Sequence, residues 1–150
     1  MRNYGYILLA LGLITGMVFP QNIFGDGTDG NLVVDGGEEI WIDEVKSSVE
    51  GNNNSGQNAL NVSSTNGFAI SDEVLIITMK DPSTDDFTEN NTGNYEFRVI
   101  SSITEGHLYF EHNLENTYEQ EGNQIHQVIR VPNFDNVTNN GTIRSTNWNG

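Results

Sequence analysis

The 150-residue chain carries 21 acidic and 6 basic residues, a net charge of -15, and no cysteine. The acidity excludes the basic footprint that binding to nucleic acid or to an anionic membrane requires. The missing cysteine excludes disulfides, thiolate catalysis, cysteine zinc sites and a lipid anchor on cysteine.

At the N-terminus, "MRNYGY" supplies one arginine and "ILLALGLITGMVF" an apolar run of about a dozen residues, short of the roughly 20 a spanning helix needs. Pro20, Gln21 and Asn22 break the run. This predicts a secretory signal peptide over residues 1–21, cleaved near Pro20–Asn22; the alternative is a short membrane anchor. The mature chain is then secreted or held at the cell surface, with no membrane contact after cleavage.

Residues 22–66 read as a turn-rich segment of short strands. Leu32–Val34 lies between two Asp-Gly turns and Ile40–Ile42 after the second, and Ala59–Val62 forms one possible short strand in a polar loop. Residues 67–131 read as a small β-barrel-like domain. "VLII" at 74–77 suits a strand buried on both faces, and "NYEFRVISSI" alternates, with Tyr95, Phe97 and Val99 on one face and Glu96 and Arg98 on the other. "HLYFEHNL" and "IHQVIRV" are further strands, and no helical period persists after the apolar leader. The fold class is therefore all-β, with an expected core of Val74, Ile76, Phe97, Val99, Leu108, Phe110, Val128 and Val131. Residues 132–150 carry short apolar pieces between Gly and Asn turns, the spacing of a β-solenoid. One or two coils do not bury their faces alone. The segment thus reads as the truncated start of a longer stack, its neighbour expected in a following coil.

"SDEVLIITM", "GNYEFRVISSI", "QVIRVPNFDNVTNNGTI" and "NWNG" resemble an N-terminal region of large secreted or surface proteins of Gram-negative, Bacteroidetes-like bacteria. There a Gly-Asp turn opens the first strand and a glycine-rich β-solenoid follows. The resemblance covers roughly residues 70–150. It departs at Ser71, where the pattern has glycine, and at Thr78, where it has glutamine. It implies location and architecture and supplies no catalytic residue.

Asp26, Asp29 and Asp35, near Glu38 and Glu39, are the candidate calcium ligands, because calcium accepts oxygen donors from flexible loops. "DGTDGN" departs from the EF-hand pattern, and Asp-Gly turn chemistry explains the same residues. Asp81, Asp85, Asp86 and Glu89 crowd a long loop, either a second calcium loop or a solvated one. His107 and His112 point to opposite faces of a strand, a poor geometry for a shared metal, and His126 stands apart. Asp43/Glu44 and Asp72/Glu73 are sequence neighbours and make no acid–base pair across a cleft. Trp41, Tyr109 and Trp148 are either a sugar-stacking platform or core.

No cofactor is implied beyond calcium, and the partners expected are surface glycans or other surface proteins. The leading reading is a non-catalytic structural or adhesive module of a surface protein. The alternative is an accessory region of a secreted polysaccharide-degrading β-solenoid enzyme whose active site lies beyond residue 150.

Overall fold

The computed structural model describes residues 26–81, 91–119 and 124–146. The expected signal peptide lies outside them, as do Asp85, Asp86, Glu89 and Trp148. All regular structure among the described residues is strand.

Six strands form one sheet: β3 (Lys46–Ser48), β5 (Ala59–Asn61), β6 (Glu73–Lys80), β7 (Tyr95–Thr104), β8 (His107–Phe110) and β10 (Ile125–Val131), in the order β3-β10-β6-β7-β8-β5. The sheet curls until its two edges meet. Val49 and Val62 form a single antiparallel bridge, the Glu50 amide donates to Asn61 O (2.9 Å), and the Ser63 amide donates to Ser48 O (3.0 Å). The seam is short, yet it satisfies edge groups that would otherwise face water.

Side chains that point into the curl form the core: Leu60, Val74, Ile76, Ile100, Leu108 and Val128 are fully buried, with Phe110 and Tyr118 beside them. Each fully buried aliphatic side chain contributes about 1.5–3 kcal/mol. The short β4 (Asn52–Asn53) pairs with β9 (Tyr118–Glu119) to close one end. Asn53 staples that end: its side chain accepts from the Asn61 amide (2.7 Å) and donates to Glu50 O (3.0 Å).

Three expected core residues face the other way. Phe97 is 47% exposed, and Val99 and Val131 are half-buried. The alternation holds from Tyr95 to Ile100, before the register shifts between Ile100 and Ser102, but its inner face is Glu96, Arg98 and Ile100. Glu96 goes inside because its carboxylate is satisfied there: it accepts the Glu115 amide (2.9 Å) and the Asn116 amide (3.0 Å) and is ion-paired with Arg98. A buried carboxylate with such partners is tolerated where an unpaired one is not. β6 is likewise buried on one face only; Leu75 and Ile77 are half-buried. The sheet also begins earlier than residue 67, because β3 and β5 belong to it.

The remaining strands stand apart from the curl. β1 (Asn31–Val34) pairs in parallel with β11 (Asn136–Asn139), and β2 (Glu39–Trp41) pairs in parallel with β12 (Thr142–Arg144). Leu32 lies beside Val137 and Ile40 beside Ile143. Residues 31–41 thus form one coil and residues 136–144 a second coil stacked on it, about 4.8 Å away. The neighbour of the second coil precedes the sheet domain in the chain, where the sequence alone had placed it in a following coil. Gly141 lets the two turns close: a Cβ there would sit 2.5 Å from both Asp35 O and Glu38 O. The Asn140 amide donates to Val34 O (2.8 Å) and the Thr142 amide to Glu38 O (2.9 Å).

Candidate functional site

A shallow cleft of about 160 Å³ opens where the first coil meets the sheet domain. Ile40, Trp41 and Ile42 line it from the coil, Glu44 and Val45 from the connection to β3, and Arg130, Pro132 and Phe134 from the end of β10. Trp41 is 41% exposed, so part of its ring faces solvent. β2 positions it: Ile40 faces Ile143, and alternation turns Trp41 the other way.

Arg130 anchors one wall. Its Nε donates to Asp72 Oδ1 (2.9 Å) and its Nη2 is ion-paired with Asp29. Burial works against its charge, but the hydrogen bonds it donates to Asp72 and Asp29 outweigh it and raise its pKa. Asp29 also accepts the Asn133 amide (2.6 Å). Below the other wall, Asp43 accepts from Lys46 Nζ (2.9 Å), the Thr146 amide (2.8 Å) and the Thr146 hydroxyl (2.5 Å). Partial burial opposes its ionisation, yet the bonds from Thr146 and Lys46 prevail and hold its pKa at about 2.

The candidate calcium ligands are not brought together as a ligand set. Asp26 binds its own turn through the Thr28 amide (3.0 Å) and hydroxyl (2.7 Å), which lower its pKa. Asp29 is committed to Arg130 and Asn133, and Asp35 lies in the turn beside Gly141. Among the described residues no three His, Asp or Glu side chains converge as a metal site would require.

His126 is buried, with Nδ1 3.0 Å from Thr78 Oγ1 and Nε2 2.9 Å from Glu119 O. Its ring meets Tyr118 edge-on at 5.5 Å. Burial first, and Glu96 second, raise the Tyr118 pKa, so its phenol stays protonated. His107 stacks on Tyr109 (6.2 Å) and lies on β8, away from His126 on β10. Trp41 and Tyr109 lie in different sheets and form no common platform.

The acidic neighbours are spoken for. Asp72 binds Arg130 and the Ala69 amide (2.7 Å), and Glu73 accepts from Asn133 Nδ2 (3.2 Å). Sequence reasoning had singled out Trp41 but missed Arg130, Pro132 and Phe134. The Pro in "IRVPNF" marks the end of β10, which is the one local signal that the chain there turns toward another element.

No protein-family model and no curated protein matches the sequence. Among solved structures, the chain is similar to the gp54 tailspike of Acinetobacter baumannii bacteriophage AP22, a structure in complex with capsular saccharide (12% identity, TM-score 0.46, covering 79% of this chain and 25% of that one). It is also similar to the tailspike gp61 of Pseudomonas phage phi297 (10% identity, TM-score 0.43, covering 75% and 22%). A third is the tailspike gp49 of Pseudomonas phage LKA1 (15% identity, TM-score 0.43, covering 76% and 22%). The chain spans about a quarter of the length of each of these.

Proposed function

We propose that the chain is a non-catalytic module of an extracellular or cell-surface protein, in which a β-solenoid stem carries a barrel-like domain. One observation carries this reading: the parallel, side-by-side register of residues 31–41 and 136–144. The chain leaves the stem after one coil, builds the curled sheet, and rejoins the stem at the next. Stacked coils make extended architectures whose long faces serve as binding surfaces.

The adhesive contact is the cleft at Trp41 and Phe134. Aromatic faces suit the apolar faces of sugar rings, and the net charge of -15 favours a neutral or cationic polymer over an acidic one. Among the described residues Glu44 is the one carboxylate lining the cleft, whereas glycoside cleavage uses two, about 5–9.5 Å apart. Titration calorimetry with a panel of neutral and amino-sugar polysaccharides tests the reading. Binding should weaken at least about tenfold in Trp41→Ala, equivalent to about 1.4 kcal/mol, with no release of reducing ends. Release of reducing ends by the chain alone, or binding indifferent to Trp41, would overturn it.

The same aromatic cleft favours one second reading, an accessory region of a polysaccharide-degrading solenoid enzyme. Clusters of Asp or Arg on one face of further coils would distinguish that from an adhesive stem.

A further inference from the structure

The carboxylates around the Trp41 cleft are almost all spent. Asp43 is taken by Lys46 and the Thr146 hydroxyl, and Glu39 by Arg144. Asp29 and Asp72 both hold Arg130. Glu44 is different. It is exposed on the cleft wall, and no ion pair among the described residues includes it. No described cation is placed to neutralise it. Lys46, Arg98, Arg130 and Arg144 are paired with other carboxylates. Lys80 stands at the far end of β6 from Val74, the position opposite Arg130, roughly 20 Å along the strand. Arg130 itself faces two carboxylates, so its wall of the cleft is negative and not positive.

We infer that the cleft takes a primary ammonium carried on one sugar unit of a polysaccharide, with Glu44 accepting from the ammonium while Trp41 and Phe134 hold the ring. The inference rests on the adhesive reading of the cleft and names the chemistry of its polymer, amino sugars over neutral or acidic ones. An ammonium donates a charge-assisted hydrogen bond to a carboxylate, stronger than one from a hydroxyl or an acetamido group. The face of an indole attracts the same cation, and part of the Trp41 ring is open. An acidic sugar meets Glu44 as a like charge and finds Arg130 already satisfied. That repulsion rejects the wrong polymer as the ammonium contact selects the right one.

Size limits the contact to one unit. At about 160 Å³ the cleft is smaller than the roughly 300–1,000 Å³ of pockets that enclose a whole ligand. The rest of the polymer runs along the surface. Exposed ion pairs contribute little, and the aromatic face adds to them. The preference for the ammonium is therefore about three- to tenfold.

Titration calorimetry with a short glucosamine oligomer and its N-acetylated counterpart is the experiment, in a mildly acidic buffer that keeps the amines charged. The two probes differ at the nitrogen alone. The chain should bind the amino oligomer about three- to tenfold more tightly. Glu44→Gln should abolish that preference and leave binding of the acetylated oligomer unchanged. Trp41→Ala should weaken both. Glu111→Gln, which removes an exposed carboxylate of the sheet domain, should keep the preference. Equal binding of the two oligomers that still needs Trp41 overturns the inference and leaves the adhesive reading standing. Binding of neither overturns the inference, and failure across neutral polysaccharides as well overturns the reading beneath it. A preference that Glu111→Gln removes as fully as Glu44→Gln reports diffuse attraction to an acidic protein, which also overturns it. An oligolysine peptide that binds more tightly than the amino oligomer, with the same dependence on Glu44, would assign the site to a lysine-bearing protein and equally overturn it.

Discussion

Asp29, in the turn before β1, is ion-paired with Arg130 at the end of β10. The contact ties the first solenoid coil to the sheet domain, and Asp29 strengthens it by also accepting the Asn133 amide. Replacing Asp29 with alanine leaves Arg130 with Asp72 alone. Hydrogen bonds to charged groups are worth about 1.5–3 kcal/mol, and the pair's partial exposure places the effect at the low end of that range. Amide hydrogen exchange should quicken at Leu32 and Val137 while Val74 and Val128 stay protected. Equal quickening in all four would mean that the contact supports the whole fold, not the coil.

Gly141→Ala should separate the two coils. The added methyl carbon would lie 2.5 Å from two backbone carbonyl oxygens and 2.8 Å from Val34 Cγ1. Backbone cannot swing aside as a long side chain does, so the cost is about 1–3 kcal/mol. Limited proteolysis should cut after residue 132 in the variant before it cuts the wild type. An unchanged digestion pattern would contradict the close approach.

Ser71 adopts φ +74°, in the left-handed region that non-glycine residues seldom occupy. Its amide donates to Ile100 O (2.8 Å), which holds the turn in that state. Ser71→Gly removes a conformational cost of about 1–2 kcal/mol, and greater freedom in the unfolded chain offsets about 0.4–1 kcal/mol of it. Thermal denaturation should show a net gain of about 0.5–1 kcal/mol. A loss of stability would mean that the serine side chain contributes more than the strain costs.

The Asp43 carboxyl titrates near 2 in the fold against 3.8 ordinarily. A depressed carboxylate pKa contributes stability that is fully present above the ordinary value and lost as pH falls through the folded one. The attachment of Thr146 to Asp43 should therefore hold at pH 5 and loosen between about pH 4 and pH 2. Asp43→Asn should flatten that part of the profile, read as hydrogen exchange at Ile143 or as the thermal midpoint against pH. A profile of identical shape in wild type and variant would assign the acid sensitivity to other carboxylates.

Much of the fold was legible in the residues because strand alternation is local. Val74, Ile76, Leu108, Phe110 and Val128 are buried as their pattern predicts. Alternation does not say which face is inside, however. On β7 the aromatic face of Tyr95, Phe97 and Val99 looks like core, yet Glu96 and Arg98 take the inside by pairing with each other and with the 115–116 amides. β3 was not legible at all. Lys46, Ser47 and Ser48 carry no apolar signal, and the strand exists through its pairing with β10 and the Ser47–Ser63 hydroxyl contact (3.0 Å). The candidate cleft was legible only at Trp41, since its other aromatic, Phe134, arrives from the far end of the chain. Parallel coils a hundred residues apart leave no local trace that names them as neighbours.

That long separation has a kinetic corollary. Asn31 and Asn136 are register partners, so stem pairing must close a loop on the order of a hundred residues, an entropic cost that the coil's few hydrogen bonds repay poorly. If the curled sheet folds first, it brings its own two ends together at β3 and β10, which are adjacent, and the remaining gap shrinks to a handful of residues. The inserted domain then acts as a folding gate for the stem: coil pairing waits on it, and damage to its seam at Val49 and Val62 would delay the stem without touching a single stem residue.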